Sequence, residues 1–159
     1  MIVWDTTLVS RLYPGGPTER LLHDRARDGD PVAITAPTVM EVVRGLESSA
    51  ARTPGMPSAL SWFTRFVASE LVEILPLDRP SAIVAGRIRA LQPAPPTGAR
   101  RKGTKPEQRA GWILDIQIGA CAWAHGRKIV TENLNDFFAL RGIIARLYPG
   151  PPQLEVDRP

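Results

Sequence analysis

The sequence has almost nothing with which to build a soft-metal or disulfide site. Cys121 is the only cysteine, and His23 and His125 are the only histidines, far apart and unaccompanied. An internal disulfide is impossible, zinc held through Cys and His is excluded by count, and a reducing cytoplasmic compartment is the default. No apolar run is long enough to span a bilayer. The opening Met-Ile-Val-Trp-Asp has no basic segment before its first acid and does not read as a signal peptide. No internal repeat is visible. What remains is ample for one globular core: 43% of the 159 residues are hydrophobic. The formal net charge of +4 and pI of about 9.8 favour a polyanionic partner without requiring one.

The chain alternates short apolar runs with helical patterns. Strands are expected at residues 2–4, 32–34, 71–75 and 128–130, and an edge strand at 143–147. Helical patterns fall at 6–13, broken by Pro14-Gly15-Gly16-Pro17, then at 18–27, from Pro37 to Leu46, at 58–69 and from Asp78 to Leu91. Residues 92–108 carry no apolar periodicity and are rich in Pro and Gly. With Arg100, Arg101, Lys102 and Lys105 opposed only by Glu107, they read as a basic loop. The stretch from Trp112 to Phe137 organises the rest: a helix to about Ala124, a Gly126 stop, the strand at 128–130, and a polar turn ending in Asp136. Residues 149–159 form a Pro-rich C-terminal tail, loose at its end, after a single domain over 1–148. This alternation predicts an α/β fold of three α/β/α layers around a small, mainly parallel sheet.

Ligands of open α/β sheets bind at the carboxyl ends of the strands. Four acids are expected near that edge. Asp5 closes the first strand. Glu41 and Asp115 are expected in the first turns of their helices, and Asp136 just past the strand at 128–130. Carboxylates gathered together repel unless a hard cation neutralises them, and Mg²⁺ or Mn²⁺ suits oxygen ligands. Such an ion would activate water for in-line attack on a phosphodiester. Each acid also has a purely structural reading. Asp5 fits an N-cap, Glu41 the end of a Thr38-x-x-Glu41 capping box, Asp115 a helix-dipole partner and Asp136 a turn cap. What sets the group apart is that Asp115 stands in an otherwise apolar run and Asp5 ends a buried strand. The basic loop reads either as solvated surface or as a phosphate clamp. His125 suits the negative end of its helix. Trp62, Phe63 and Phe66 read as core or dimer contacts rather than base-stacking platforms.

The segments IVWDTTLVSRLY, TAPTVMEVVRGL and LDIQIGACAWAHGRKIVTENLNDF, in that order, resemble the PIN-domain ribonucleases, most closely the VapC-type toxins of bacterial toxin–antitoxin pairs. The resemblance covers nearly the whole chain. It implies a PIN-like fold, a Mg²⁺- or Mn²⁺-dependent endoribonuclease acting on an RNA substrate, a homodimer, and a cognate VapB-type antitoxin. Carried onto this sequence, it implies Asp5, Glu41 and Asp115 as three metal-binding catalytic acids. The fourth block offers two positions, occupied here by Asn133 and Asp136, so Asp136 is the expected fourth carboxylate. The loop at 92–108 is longer and more basic than in compact members. A non-catalytic RNA-binding module and a structure-specific DNA nuclease remain alternatives, since the metal chemistry cuts either polymer and nothing here reads a 2′-hydroxyl. A phosphatase or a phosphate-accepting receiver would share the architecture. The receiver is disfavoured because no Lys follows the last strand in a suitable short loop.

Overall fold

A computed structural model of the chain describes residues 1–50, 52–96 and 103–159. The elements run β1 (Ile2–Trp4), α1 (Thr6–Val9), α2 (Pro17–Arg27), β2 (Val32–Thr35), α3 (Ala36–Ala50), α4 (Met56–Val67), β3 (Val72–Leu75), α5 (Arg79–Leu91), α6 (Lys105–Ala124), β4 (Lys128–Val130), α7 (Leu134–Leu147) and β5 (Val156–Asp157). The strands form one parallel sheet in the order β3-β2-β1-β4-β5. This is the expected α/β architecture, with β1 at the centre.

The three layers follow from the two-residue period of a strand, which sends neighbouring side chains to opposite faces. Val3, Ala33 and Ile129 point to one face and pack with Val84, Ile88, Trp112, Ile116, Phe137 and Leu140 of α5, α6 and α7. Trp4, Val32, Ile34 and Val130 point to the other and pack with Leu8, Leu22, Phe63 and Phe66 of α1, α2 and α4. Both faces of β2 are fully buried, so its sequence is a continuous apolar run rather than an alternating one. Trp62, Phe63 and Phe66 belong to this second core, where Trp62 stacks on Phe66 with ring centroids 5.3 Å apart.

Caps fix where the long helices start. Asp78 accepts from the Ser81 backbone N–H at 3.0 Å and from its hydroxyl at 2.6 Å, with Pro80 in the first turn of α5. Thr104 and Glu107 form a reciprocal capping box at the head of α6. The helix therefore begins at Lys105, inside the stretch read as loop, and Asp115 stands midway along it rather than in its first turns. Gly126, at φ +63°, ends the connection to β4 in a conformation that glycine adopts without strain.

Two segments depart from the sequence reading. Residues 143–147 are not an edge strand but the end of α7, where Phe137, Leu140, Ile143 and Ile144 are buried at helical spacing. The outer strand is β5, inside the Pro-rich tail. It pairs with β4, and Leu154 beside it is buried in the first core. Among the described residues, no helix is long and apolar enough to cross a membrane.

Candidate functional site

β1 and β4 are adjacent and parallel, with Trp4 opposite Val130. The next residues, Asp5 and Thr131, therefore leave the sheet side by side at its carboxyl edge. Asp5 is only 2% exposed and caps α1. Its Oδ1 accepts from the Thr7 N–H at 3.1 Å, the Leu8 N–H at 3.3 Å and the Thr7 hydroxyl at 2.6 Å. Its Oδ2 accepts from the Thr131 hydroxyl at 2.5 Å. Thr131 is fully buried, and its Oγ1 accepts in turn from the Asn133 N–H at 2.8 Å. The Asn133 side-chain amide then donates to Asp115 Oδ2 at 3.2 Å. A continuous hydrogen-bonded chain thus joins Asp5 of β1 to Asp115 of α6 through Thr131 and Asn133. Burial raises the Asp5 carboxyl above its ordinary value; the hydrogen bonds from Thr131, Thr7 and Leu8 pull the other way and offset part of the shift.

The structural reading of Asp5 as an N-cap holds, and the same carboxylate carries the link to Asp115. For Glu41 the capping box is replaced. Thr38 lies inside α3, and Thr35, at the end of β2, does the capping: its Oγ1 accepts from the Thr38 N–H at 3.2 Å. Glu41 stands in the second turn of α3. It is gripped by Arg44, whose Nε donates to Oε2 at 2.9 Å and whose Nη2 donates to Oε1 at 2.5 Å. Asp136 belongs to the first turn of α7 rather than to a turn before it. It is buried at the positive end of that helix. Asn133, the other position of the fourth block, is the residue bonded to Asp115. Thr131 is not among the candidate residues that the sequence singles out. Its signal is its place directly after β4, level with Asp5.

The basic residues separate. Lys105 is the exposed first residue of α6, while Arg100, Arg101 and Lys102 lie outside the described residues. His125 is the C-cap of α6, with Nε2 at 3.3 Å from the Pro76 carbonyl oxygen and 3.7 Å from Asp78.

The donors that the structure brings together at this edge are oxygens: the carboxylates of Asp5 and Asp115, with the Asn133 side-chain amide between them; no contact joins Glu41 or Asp136 to them among the described interactions. That chemistry fits a hard divalent cation held by one or two carboxylates and otherwise by water. It does not fit a fully protein-ligated ion. Among the described residues, no three acidic, histidine or cysteine side chains stand close enough to hold a metal between them.

No protein-family profile matches the chain, and no curated protein matches it significantly. Solved structures do. A chain of VapBC2 from Rickettsia felis, bound to a DNA fragment from its promoter, superposes with a TM-score of 0.62 at 17% identity, covering 99% of this chain and 98% of that one. A chain of DNA-bound VapBC from Salmonella typhimurium gives 0.59 at 20% identity with the same coverage. One of VapBC-5 from Mycobacterium tuberculosis, a member of the VapBC family of toxin–antitoxin systems, gives 0.56 at 24%, again covering 99% and 98%. End-to-end superposition on these chains, together with the parallel sheet in the order β3-β2-β1-β4-β5, shows that this chain has the PIN-type fold found in VapBC toxin–antitoxin complexes.

Proposed function

We propose that this chain is the toxin of a toxin–antitoxin pair and cleaves RNA phosphodiester bonds as a Mg²⁺- or Mn²⁺-dependent endoribonuclease. The observation that carries the reading is the chain Asp5–Thr131–Asn133–Asp115 at the carboxyl edge of the sheet. It ties together two acids far apart in sequence, in a fold shared with toxin–antitoxin chains. A structural N-cap needs only the contacts to Thr7 and Leu8, and nothing in the capping of α1 calls for the link to Asp115.

In this reading Thr131 fixes the direction of the Asp5 carboxylate, and Asn133 fixes that of Asp115. Asp5 and Asp115 present oxygens toward the site, with Asp136 and Glu41 adding negative charge around it. A divalent cation, when bound, supplies an acidified water and neutralises charge on the phosphoryl oxygens. Lys105, with Arg100, Arg101 and Lys102, forms a sequence-independent contact to the RNA backbone. A VapB-type antitoxin, a homodimeric state and a cytoplasmic location complete the proposal, as does a single domain whose sheet and core take in β5 and Leu154 of the tail.

A second reading, a non-catalytic RNA-binding module, is favoured by the absence among the described residues of three metal-holding side chains in one group. The two separate on a panel of structured RNAs and matching DNAs incubated with Mg²⁺, Mn²⁺ or EDTA. The nuclease reading predicts RNA cutting that needs metal. RNA binding that survives chelator without any cutting would favour the binding module. Preferential cutting of DNA would make the chain a DNA nuclease.

A further inference from the structure

We propose that the seam between α5 and α7 is a track for single-stranded RNA leading away from the carboxyl edge, with Phe138 as a platform for a base and Arg87 and Arg146 as contacts to phosphates. The inference rests on the reading of RNA as the substrate and does not depend on a bound metal. α7 leaves the edge directly after Asn133, with Asp136 in its first turn and Phe138 two residues later. Phe138, Gly142 and Arg146 follow at four-residue intervals and share one side of the helix over about 12 Å. With Gln92 and Pro96 from the end of α5, they line an open groove of about 430 Å³. Phe138 is 48% exposed in it, whereas the other three phenylalanines, Phe63, Phe66 and Phe137, are buried. Five residues before Gln92, Arg87 lies over the ring of Tyr148 at the far end of α7, 4.8 Å from its centroid. Stacking engages the face of the guanidinium and leaves its in-plane N–H donors for a phosphate.

The two helical layers differ in how their charge is compensated. Three of the five arginines in α1 to α4 are neutralised, Arg25 by Asp30, Arg27 by Asp24 and Arg44 by Glu41. In the other layer, α5 carries three arginines and no acid. α7 carries two arginines and one acid, Asp136, which is buried. None of these five arginines has an ion-pair partner among the described residues. A positive surface left uncompensated attracts a polyanion. An exposed aromatic ring among its cations favours unpaired bases, whose faces are free to stack, over a duplex.

The test is fluorescence anisotropy of a short labelled single-stranded RNA with the full chain, in EDTA so that no cutting intervenes, at several salt concentrations. It compares wild type, Phe138→Ala, Arg87→Gln/Arg146→Gln and Arg20→Gln/Arg65→Gln, each shown by thermal melting to be folded. The last variant removes the same charge from the opposite layer, at the two arginines that lack an ion pair there. Phe138→Ala is expected to weaken binding at least about fivefold, the lower end for loss of one stacked base. Arg87→Gln/Arg146→Gln is expected to weaken it and to reduce the slope of log affinity against log salt by about 1.4, as for two phosphate contacts to a single strand. Arg20→Gln/Arg65→Gln is expected to bind as the wild type does. Equal weakening in the two double variants would mean that net charge alone attracts RNA, and would overturn the track. So would wild-type binding by Phe138→Ala, or an unchanged salt slope in Arg87→Gln/Arg146→Gln; each of these leaves RNA standing as the substrate. A wild type that binds no RNA would overturn the RNA reading and the track with it.

Discussion

Thr131 is where single-residue chemistry matters most. Its hydroxyl donates to one buried carboxylate and accepts from the Asn133 backbone, so one oxygen serves both neighbours. Thr131→Val keeps the shape and removes both bonds. It leaves the Asp5 carboxylate short of one donor and the Asn133 N–H without its acceptor. The expected loss is about 1–3 kcal/mol in urea unfolding, with a fall in cleavage, because Asp5 and Asn133 are then no longer aimed. A variant as stable and as active as wild type would show that the hydroxyl is incidental.

Cys121 gives the pH dependence. Burial pushes its thiol up to about 11 from an ordinary 9.0, so the folded protein holds the proton longer than the unfolded chain does. The stabilisation from the neutral thiol is complete below 9, and it is lost as pH rises toward 11. Unfolding stability should therefore fall through this alkaline window by on the order of 3 kcal/mol from this group. Cys121→Ala should flatten that slope in urea melts taken at pH 8, 9.5 and 11. An unaltered slope would mean that other groups cause it.

Among elements, β5 is the informative one. It is two residues long and sits in a Pro-rich tail, yet Leu154 next to it is 1% exposed in the first core. Leu154→Ala should cost about 2–5 kcal/mol, as for other buried leucines. A loose tail would lose almost nothing, and an equilibrium denaturation curve distinguishes the two. The sequence hides this strand because Val156-Asp157 is too short to show alternation and its prolines mark it as irregular. It hides the end of α7 for another reason. Ile143-Ile144 flanked by small and charged residues satisfies a strand and a helix equally over so short a run, and only the spacing back to Phe137 and Leu140 decides for helix. Strands β1 to β4 and helices α1 to α5 are legible because their apolar runs are bounded by clear Gly, Pro and capping signals.

At the scale of the whole molecule, the carboxyl edge was legible and its wiring was not. Asp5 is visible in sequence as an acid closing a buried strand. Its tie to Asp115 depends on the long α6 crossing back beneath the sheet from Lys105, and on Thr131 emerging level with Asp5; neither is written in local spacing. The same distance between pattern and packing explains Glu41. A Thr-x-x-Glu box is present in the sequence, but Thr35 takes the capping role, and Glu41 pairs with Arg44 instead. Asp136 reads as a turn residue in the sequence because polar residues surround it, whereas α7 already begins at Leu134.

The measurement that bears most directly on this account is metal-dependent cleavage of a structured RNA by wild type, Asp5→Asn and Asp115→Asn, each purified free of any partner and assayed with Mn²⁺ and with EDTA. The account predicts cutting by the wild type only with metal, and its loss by at least 100-fold (about 2.7 kcal/mol of barrier) in both variants while they remain folded. Undiminished cutting by folded Asp5→Asn and Asp115→Asn would contradict it, because the two acids joined through Thr131 and Asn133 would then have no part in the chemistry.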